Sequence, residues 1–291
     1  MVEGGDTGIP GRKQIFEEVT AELPAEHDFR DRIYAHFPTY QLFGWLGTWA
    51  YGYNRERKTL RTSLKLLLGI CDEEVREAYH IAGITGLNSR IVDDIIDGDG
   101  CPQVEEREEF LDRYISSLQG GYPDVLSVEA EKAAFTAGRM LNQLLDSSTV
   151  EKLVECLEDI KEGVLEEDKS TKEGYSEFVE LGGLVAVSTA VSLDTLEGFE
   201  LDSETKNLCF EIGVITQIAD DRYDGDLPLE EDEVEEVWRE KKQQVDTRIG
   251  RLGVFIHEYL FETVCDLGDW VNQYRFQNYR RRRGEQGGGR Y

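Results

Sequence analysis

The chain has 291 residues, enough for one large domain or two small ones with a sizeable core. Its 60 Asp and Glu against 32 Lys and Arg give a net charge of −28, with Arg making up most of the basic residues. That balance excludes the basic footprint of a nucleic-acid binder and reads as surface charge that keeps a protein soluble in concentrated salt.

Cys71, Cys101, Cys156, Cys209 and Cys265 are odd in number and lack metal or redox spacing, which points to a reducing, cytoplasmic setting. His27, His36, His80 and His257 are isolated, and each reads as structural. The N-terminus lacks an apolar signal segment, and no run approaches 18 apolar residues, so no membrane span is expected.

In chain order, residues 1–30 are Gly-rich and then acidic, and predict a poorly ordered start with one short helix at 12–22. Residues 31–53 carry Tyr34, Phe37, Tyr40, Phe43, Trp45, Trp49, Tyr51 and Tyr53, a set that suits a core helix or a hydrophobic pocket. At 57–70, Leu60, Leu64, Leu67 and Leu68 share one side of a helix, with Lys58, Arg61 and Lys65 on another. A long helix starts after Asp72, an N-cap type followed by two acids, and runs to Asp97, where Gly98, Gly100 and Pro102 stop it.

Further helices are predicted at 104–119, 128–147, 149–166, 174–197, 203–224, 230–250 and 252–279. The six prolines lie at 10, 24, 38, 102, 123 and 228, and the long stretches between them contain none, as helix interiors require. No stretch alternates with period two, so the fold class is all-α, a single large helical bundle. With no internal linker, 31–280 reads as one domain and 281–291 as a basic, Gly-rich tail. The Arg280–Arg283 run is the one basic patch, read as a tail ending with phosphate or membrane contact as the other option.

Two stretches stand out: Arg90-Ile91-Val92-Asp93-Asp94-Ile95-Ile96-Asp97 and Gln217-Ile218-Ala219-Asp220-Asp221-Arg222-Tyr223-Asp224. Each puts Asp-Asp-x-x-Asp one turn before a Gly/Pro stop. Positions i and i+4 share a helix edge, where like charges repel, and anions near a helix C-terminus oppose its dipole. A cation offsets both costs, and Mg²⁺ prefers one or two carboxylates completed by water and substrate phosphates. Solvated helix ends are the competing reading in so acidic a chain. With 23 Asp, random placement gives about 0.14 such motifs, so two favour a metal site. Both motifs can meet at one end of a bundle, where cofactor sites are built.

Paired aspartate motifs over an apolar helical interior resemble those of the class I isoprenoid synthases, all-α enzymes that include trans-prenyl diphosphate synthases, terpene cyclases and squalene/phytoene synthases. The resemblance covers roughly 55–230. Lys58-Thr59-Leu60-Arg61-Thr62 is similar to their basic motif, Asp93–Asp97 to their first aspartate motif, and Gly213–Asp224, with Gln217, to their second. The chain departs from prenyl synthases in lacking an Arg pair between Gly98 and Glu106. Gly182-Gly183 stands where those enzymes carry Lys-Thr, and Leu227–Glu231 where they carry Gly-Lys. Tyr175-x-x-x-Val179-x-x-Gly182-Gly183 is nearer to phytoene synthases and terpene cyclases.

The resemblance implies a central apolar cavity and three Mg²⁺ ions with diphosphate bound. Asp93, Asp97, Asp220 and Asp224 would bridge the metals, with Asp94 and Asp221 as ligands or outer-shell partners. Lys58, Arg61, Arg90 and Arg222 would face diphosphate. Gln217 would orient hydrocarbon or water, or simply pack between helices. Asn88 and Ser89 would border the pocket, and Tyr175 would line it or sit in the core. The implied substrates are an allylic isoprenyl diphosphate and isopentenyl diphosphate, and the implied assembly is a homodimer. Chain elongation is the expected activity. One-substrate cyclisation or head-to-head condensation is the alternative that the missing cations favour. A non-catalytic prenyl-binding subunit of a heteromeric synthase, or a two-metal hydrolase, completes the set.

Overall fold

The computed structural model describes residues 11–56, 72–98, 106–121, 126, 128–166, 169–224 and 229–249. Among these residues the chain is all-α, without a strand. In order come α1 (Arg12–Val19), α2 (Asp28–Ala35), α3 (Phe37–Glu56), α4 (Glu73–Asp97) and α5 (Arg107–Leu118). They are followed by α6 (Glu131–Leu144), α7 (Ser147–Glu166), α8 (Lys172–Val191), a 3-10 turn (Ser192–Thr195), α9 (Ser203–Asp224) and α10 (Glu231–Ile249). The helices predicted at 57–70 and 252–279 lie outside the described residues.

Predicted boundaries shift where a local cap decides them. The pattern at 128–147 contains an interruption: Leu145 is extended, and Asp146 Oδ1 accepts from the Thr149 amide at 2.8 Å, which starts α7. The 174–197 pattern ends in the 3-10 turn, and Gly198 follows with a positive φ. At α4, Asp72 occupies the N-cap without a side-chain capping bond, while Gly98 closes the C-terminus in the left-handed region at φ 75°.

The chain divides into two compact units, Met1–Glu167 with Leu184–Phe210, and Asp168–Gly183 with Glu211–Tyr291. Two of its three boundaries fall inside α8 and α9, and the third, Glu167–Asp168, lies between α7 and α8.

The first unit is built around α4, which touches α3, α6 and the 3-10 turn. Ile81, Ile84, Leu87, Ile91 and Ile95 of α4 are fully buried, each contributing about 1.5–3 kcal/mol through apolar burial. The α3–α4 crossing is close because glycines line it. Gly44 lies on the Tyr79 ring, Gly47 on Ala82, Gly83 on Tyr40 and Gly86 on Phe43, and a Cβ at any of them would overlap its neighbour. Many of the predicted aromatics of 31–53 thus pack in this core: Phe37, Tyr40, Trp49, Tyr51 and Tyr53 are buried, while Tyr34 is exposed.

In the second unit, Tyr175 and Val179 of α8, Val214, Ile215 and Ile218 of α9, and Val234 and Val237 of α10 are buried. Lys241 pairs with Glu180 at 2.6 Å, and Lys172 with Glu236 at 3.1 Å and Glu240 at 3.3 Å, linking α10 to α8.

Among the described residues one helix, Lys172–Thr195, is long and apolar enough on average to cross a membrane, although Glu177 and Glu180 break it so that no unbroken run of 18 apolar residues occurs, as expected from the sequence. Its 18-residue apolar window is 56 % buried inside the protein, as the packing of a core helix requires.

Candidate functional site

The first motif occupies the last turn and a half of α4. Asp93 and Asp97 are exposed on one edge, while Asp94 points inward and is 1 % exposed. The helical period produces this split, since i and i+4 share an edge and i+1 is turned 100° away.

Asp94 does not stand alone in the interior. Arg32 of α2 grips it at two points, Nε to Oδ2 at 2.6 Å and Nη2 to Oδ1 at 3.3 Å. The His36 ring, one turn further at the end of α2, meets Oδ2 through Nε2. On α4 itself, Arg90 Nε lies 3.5 Å from Asp94 Oδ1, and its Nη1 donates to Asp93 Oδ2 at 2.6 Å. Burial by itself would raise the pKa of Asp94. The charge and hydrogen bond of His36, the charge of Arg90 and the bond from Arg32 outweigh it, and hold the carboxyl well below the usual range.

The second motif ends α9. Its backbone is helical through Asp224, and Asp221 is half-buried. Tyr175 Oη donates to Asp221 Oδ2 at 3.0 Å, and Gln217 Nε2 donates to Oδ1 at 3.0 Å. Gly182 of α8 lies directly against Gln217: a Cβ there would sit 2.7 Å from Gln217 Cβ and 2.8 Å from the Gly213 carbonyl oxygen. Gly182 thus makes room for α9.

Each second aspartate is therefore held in the same way. A polar side chain one turn earlier on its own helix (Arg90 or Gln217) and donors from a neighbouring helix (Arg32 with His36, or Tyr175) share its oxygens.

The remaining candidates fall in different places. Asn88 is buried and donates to Tyr114 Oη at 2.7 Å, while its Oδ1 has no hydrogen-bond partner. Ser89 Oγ is turned back onto the Thr85 carbonyl at 3.1 Å. Tyr175 is fully buried, in the core of its unit. The side chains of Asp220, Arg222 and Asp224, and the whole of Lys58 and Arg61, lie outside the described residues.

Among the described residues, no group of three or more His, Cys, Asp and Glu side chains converges on one point. The exposed Asp93 and Asp97 nevertheless suit Mg²⁺, which takes one or two carboxylates and completes its shell with water and phosphate oxygens.

Sequence reasoning missed Arg32 and His36, and it placed His36 among isolated structural histidines. Their i,i+4 spacing on a short helix is the one local signal. Nothing in it identifies an aspartate 62 and 58 residues away as their partner. Comparisons with protein-family models, curated proteins and solved structures found no match to this chain.

Proposed function

We propose that this protein is a Mg²⁺-dependent enzyme that ionises an allylic isoprenyl diphosphate and joins the resulting carbocation to an alkene. The observation that carries this reading is the division of labour in the first motif, with Asp94 buried and engaged by protein donors while Asp93 and Asp97 stand exposed on one helix edge. The paired second motif, with Asp221 held by Tyr175 and Gln217, supports it.

Asp93 and Asp97 would hold Mg²⁺ at the first motif and Asp220 and Asp224 at the second, with Lys58, Arg61, Arg90 and Arg222 for phosphate oxygens, for which Arg offers a two-point fork. Bound Mg²⁺ would neutralise and orient the leaving diphosphate. The allylic C–O bond breaks with its electrons leaving on diphosphate, the acceptor's π pair forms the new C–C bond, and a proton is lost. The chain's part is to grip the diphosphate and exclude water from the cation.

A second reading is one-substrate cyclisation or head-to-head condensation. Gly182 packs against Gln217 with no room for a side chain, so that position supplies no cation to a second diphosphate.

Purified protein in concentrated KCl with Mg²⁺ and geranylgeranyl diphosphate, with and without isopentenyl diphosphate, separates the two. Longer diphosphates identify elongation, and a hydrocarbon or alcohol from one substrate identifies the second reading. Asp220→Ala should abolish turnover with the far-UV spectrum unchanged. Full turnover in that variant would sink the metal assignment, and binding without turnover in the wild type would indicate a non-catalytic subunit.

A further inference from the structure

We infer that Arg32 and His36, on a helix outside both aspartate motifs, are positioning residues that set the divalent-cation affinity of the first motif by fixing Asp94. This rests on the metal-binding reading of Asp93 and Asp97 given above.

Three observations combine. Asp94 is the one carboxylate of its motif that solvent does not reach, and it sits in the last turn of α4, where the backbone carbonyls disfavour an anion. Arg32 and His36, four residues apart, project from one edge of α2 and its C-cap onto the same oxygen, Oδ2, and Arg32 also reaches Oδ1. Two-point contact from a planar guanidinium fixes the plane of the carboxylate as well as its position. The network then continues outwards through charge, since Arg90 Nε lies at ion-pair distance from Asp94 Oδ1, 3.5 Å, without a hydrogen bond from that atom, while its Nη1 donates to Asp93 Oδ2 at 2.6 Å. A run of charged contacts thus leads from α2 through Asp94 and Arg90 to the exposed carboxylate.

A simple staple between α2 and α4 would not need this chain. Buried ion pairs add little net stability over apolar side chains of similar volume, and the packing of Phe29 and Ile33 already buries one side of α2. The staple explanation also leaves the link to Asp93 without a role. Outer groups that orient metal ligands are worth about 10–100-fold in metal affinity, and the network reaches Asp93 in that manner.

The test is Mn²⁺ binding to the full-length protein without substrate, followed by electron paramagnetic resonance in concentrated KCl, alongside melting temperature. Wild type should bind, and Asp93→Asn should bind far more weakly. Arg32→Met and His36→Leu should weaken binding about 10–100-fold, and His36→Gln, which keeps a donor towards Asp94, should recover part of the loss. Arg32→Lys keeps the charge without the two-point grip and should also weaken binding, which preserves the test if Arg32→Met does not fold. Arg139→Met, which removes an ion pair to Glu22 in the same unit, should leave affinity unchanged. Lower melting temperatures with wild-type affinity in Arg32→Lys and His36→Leu would overturn the inference and leave the functional reading standing. Absence of Mn²⁺ binding by the wild-type protein would overturn both.

Discussion

The hydroxyl of Tyr175, fully buried in α8, donates to Asp221 Oδ2 at 3.0 Å, so the second motif is tied to a helix that begins about fifty residues before it. Gln217 completes the hold from within α9. Tyr175→Phe removes the bond and keeps the ring. A hydrogen bond to a charged group contributes about 1.5–3 kcal/mol, and the half-buried Asp221 places this one at about the lower end. Urea unfolding should show a fall in stability of that size. The same substitution should also lower turnover of an allylic diphosphate more than it lowers substrate affinity, read as kcat against KM.

The α3–α4 crossing should resist even one added methyl group. Gly47→Ala would drive a Cβ into that of Ala82, and Gly83→Ala would place one 2.6 Å from the Tyr40 ring. Each should lower stability by about 1–3 kcal/mol, the usual cost of overpacking. Gly11, the N-cap of α1 with open space around it, is the comparison, and Gly11→Ala should cost only the loss of a preferred cap residue, less than either crossing substitution.

His80 gives the fold a pH dependence near neutrality. Burial lowers its pKa in the folded state, and Tyr40 Oη lies 3.0 Å from Nδ1. As pH falls through about 6.5, the unfolded chain takes up a proton at this ring before the folded chain does, so stability drops. The contribution is fully present above that pH and lost as pH falls towards the lower folded value. Unfolding midpoints between pH 7.5 and 5 should fall more steeply for wild type than for His80→Gln.

Cys209 lies at the core of its unit, and burial pushes its thiol up to about 12. Thiolate is the reactive form, so iodoacetamide at pH 8 should leave Cys209 unmodified in the native protein and label it once urea unfolds the chain. Peptide mass mapping reads both states. The partly exposed Cys156, also raised by burial, should label slowly in the native state.

Helix content and the aspartate motifs are properties of short-range sequence. Proline placement, the apolar period and the Gly98 stop are local, and they sufficed for the all-α class and for α9 over Ser203–Asp224. Periodicity likewise set Asp93 and Asp97 on one edge of α4, since that follows from 100° per residue. The break at Leu145 was less legible, because an aspartate cap and an aspartate on a helix surface look alike in sequence.

Tertiary structure decided which partners each carboxylate has. Arg32 and His36 lie 62 and 58 residues before Asp94, and no local pattern joins them. Packing of α2 beside α4 brings them to a carboxylate that burial would otherwise make too costly to keep charged. Gly182 shows the same limit from the other side. In the sequence it is only one of two adjacent glycines, whereas in the fold it is the space that seats Gln217 next to Asp221. Hydrophobic period is a property of one helix, while the pairing of a buried charge depends on which helices meet.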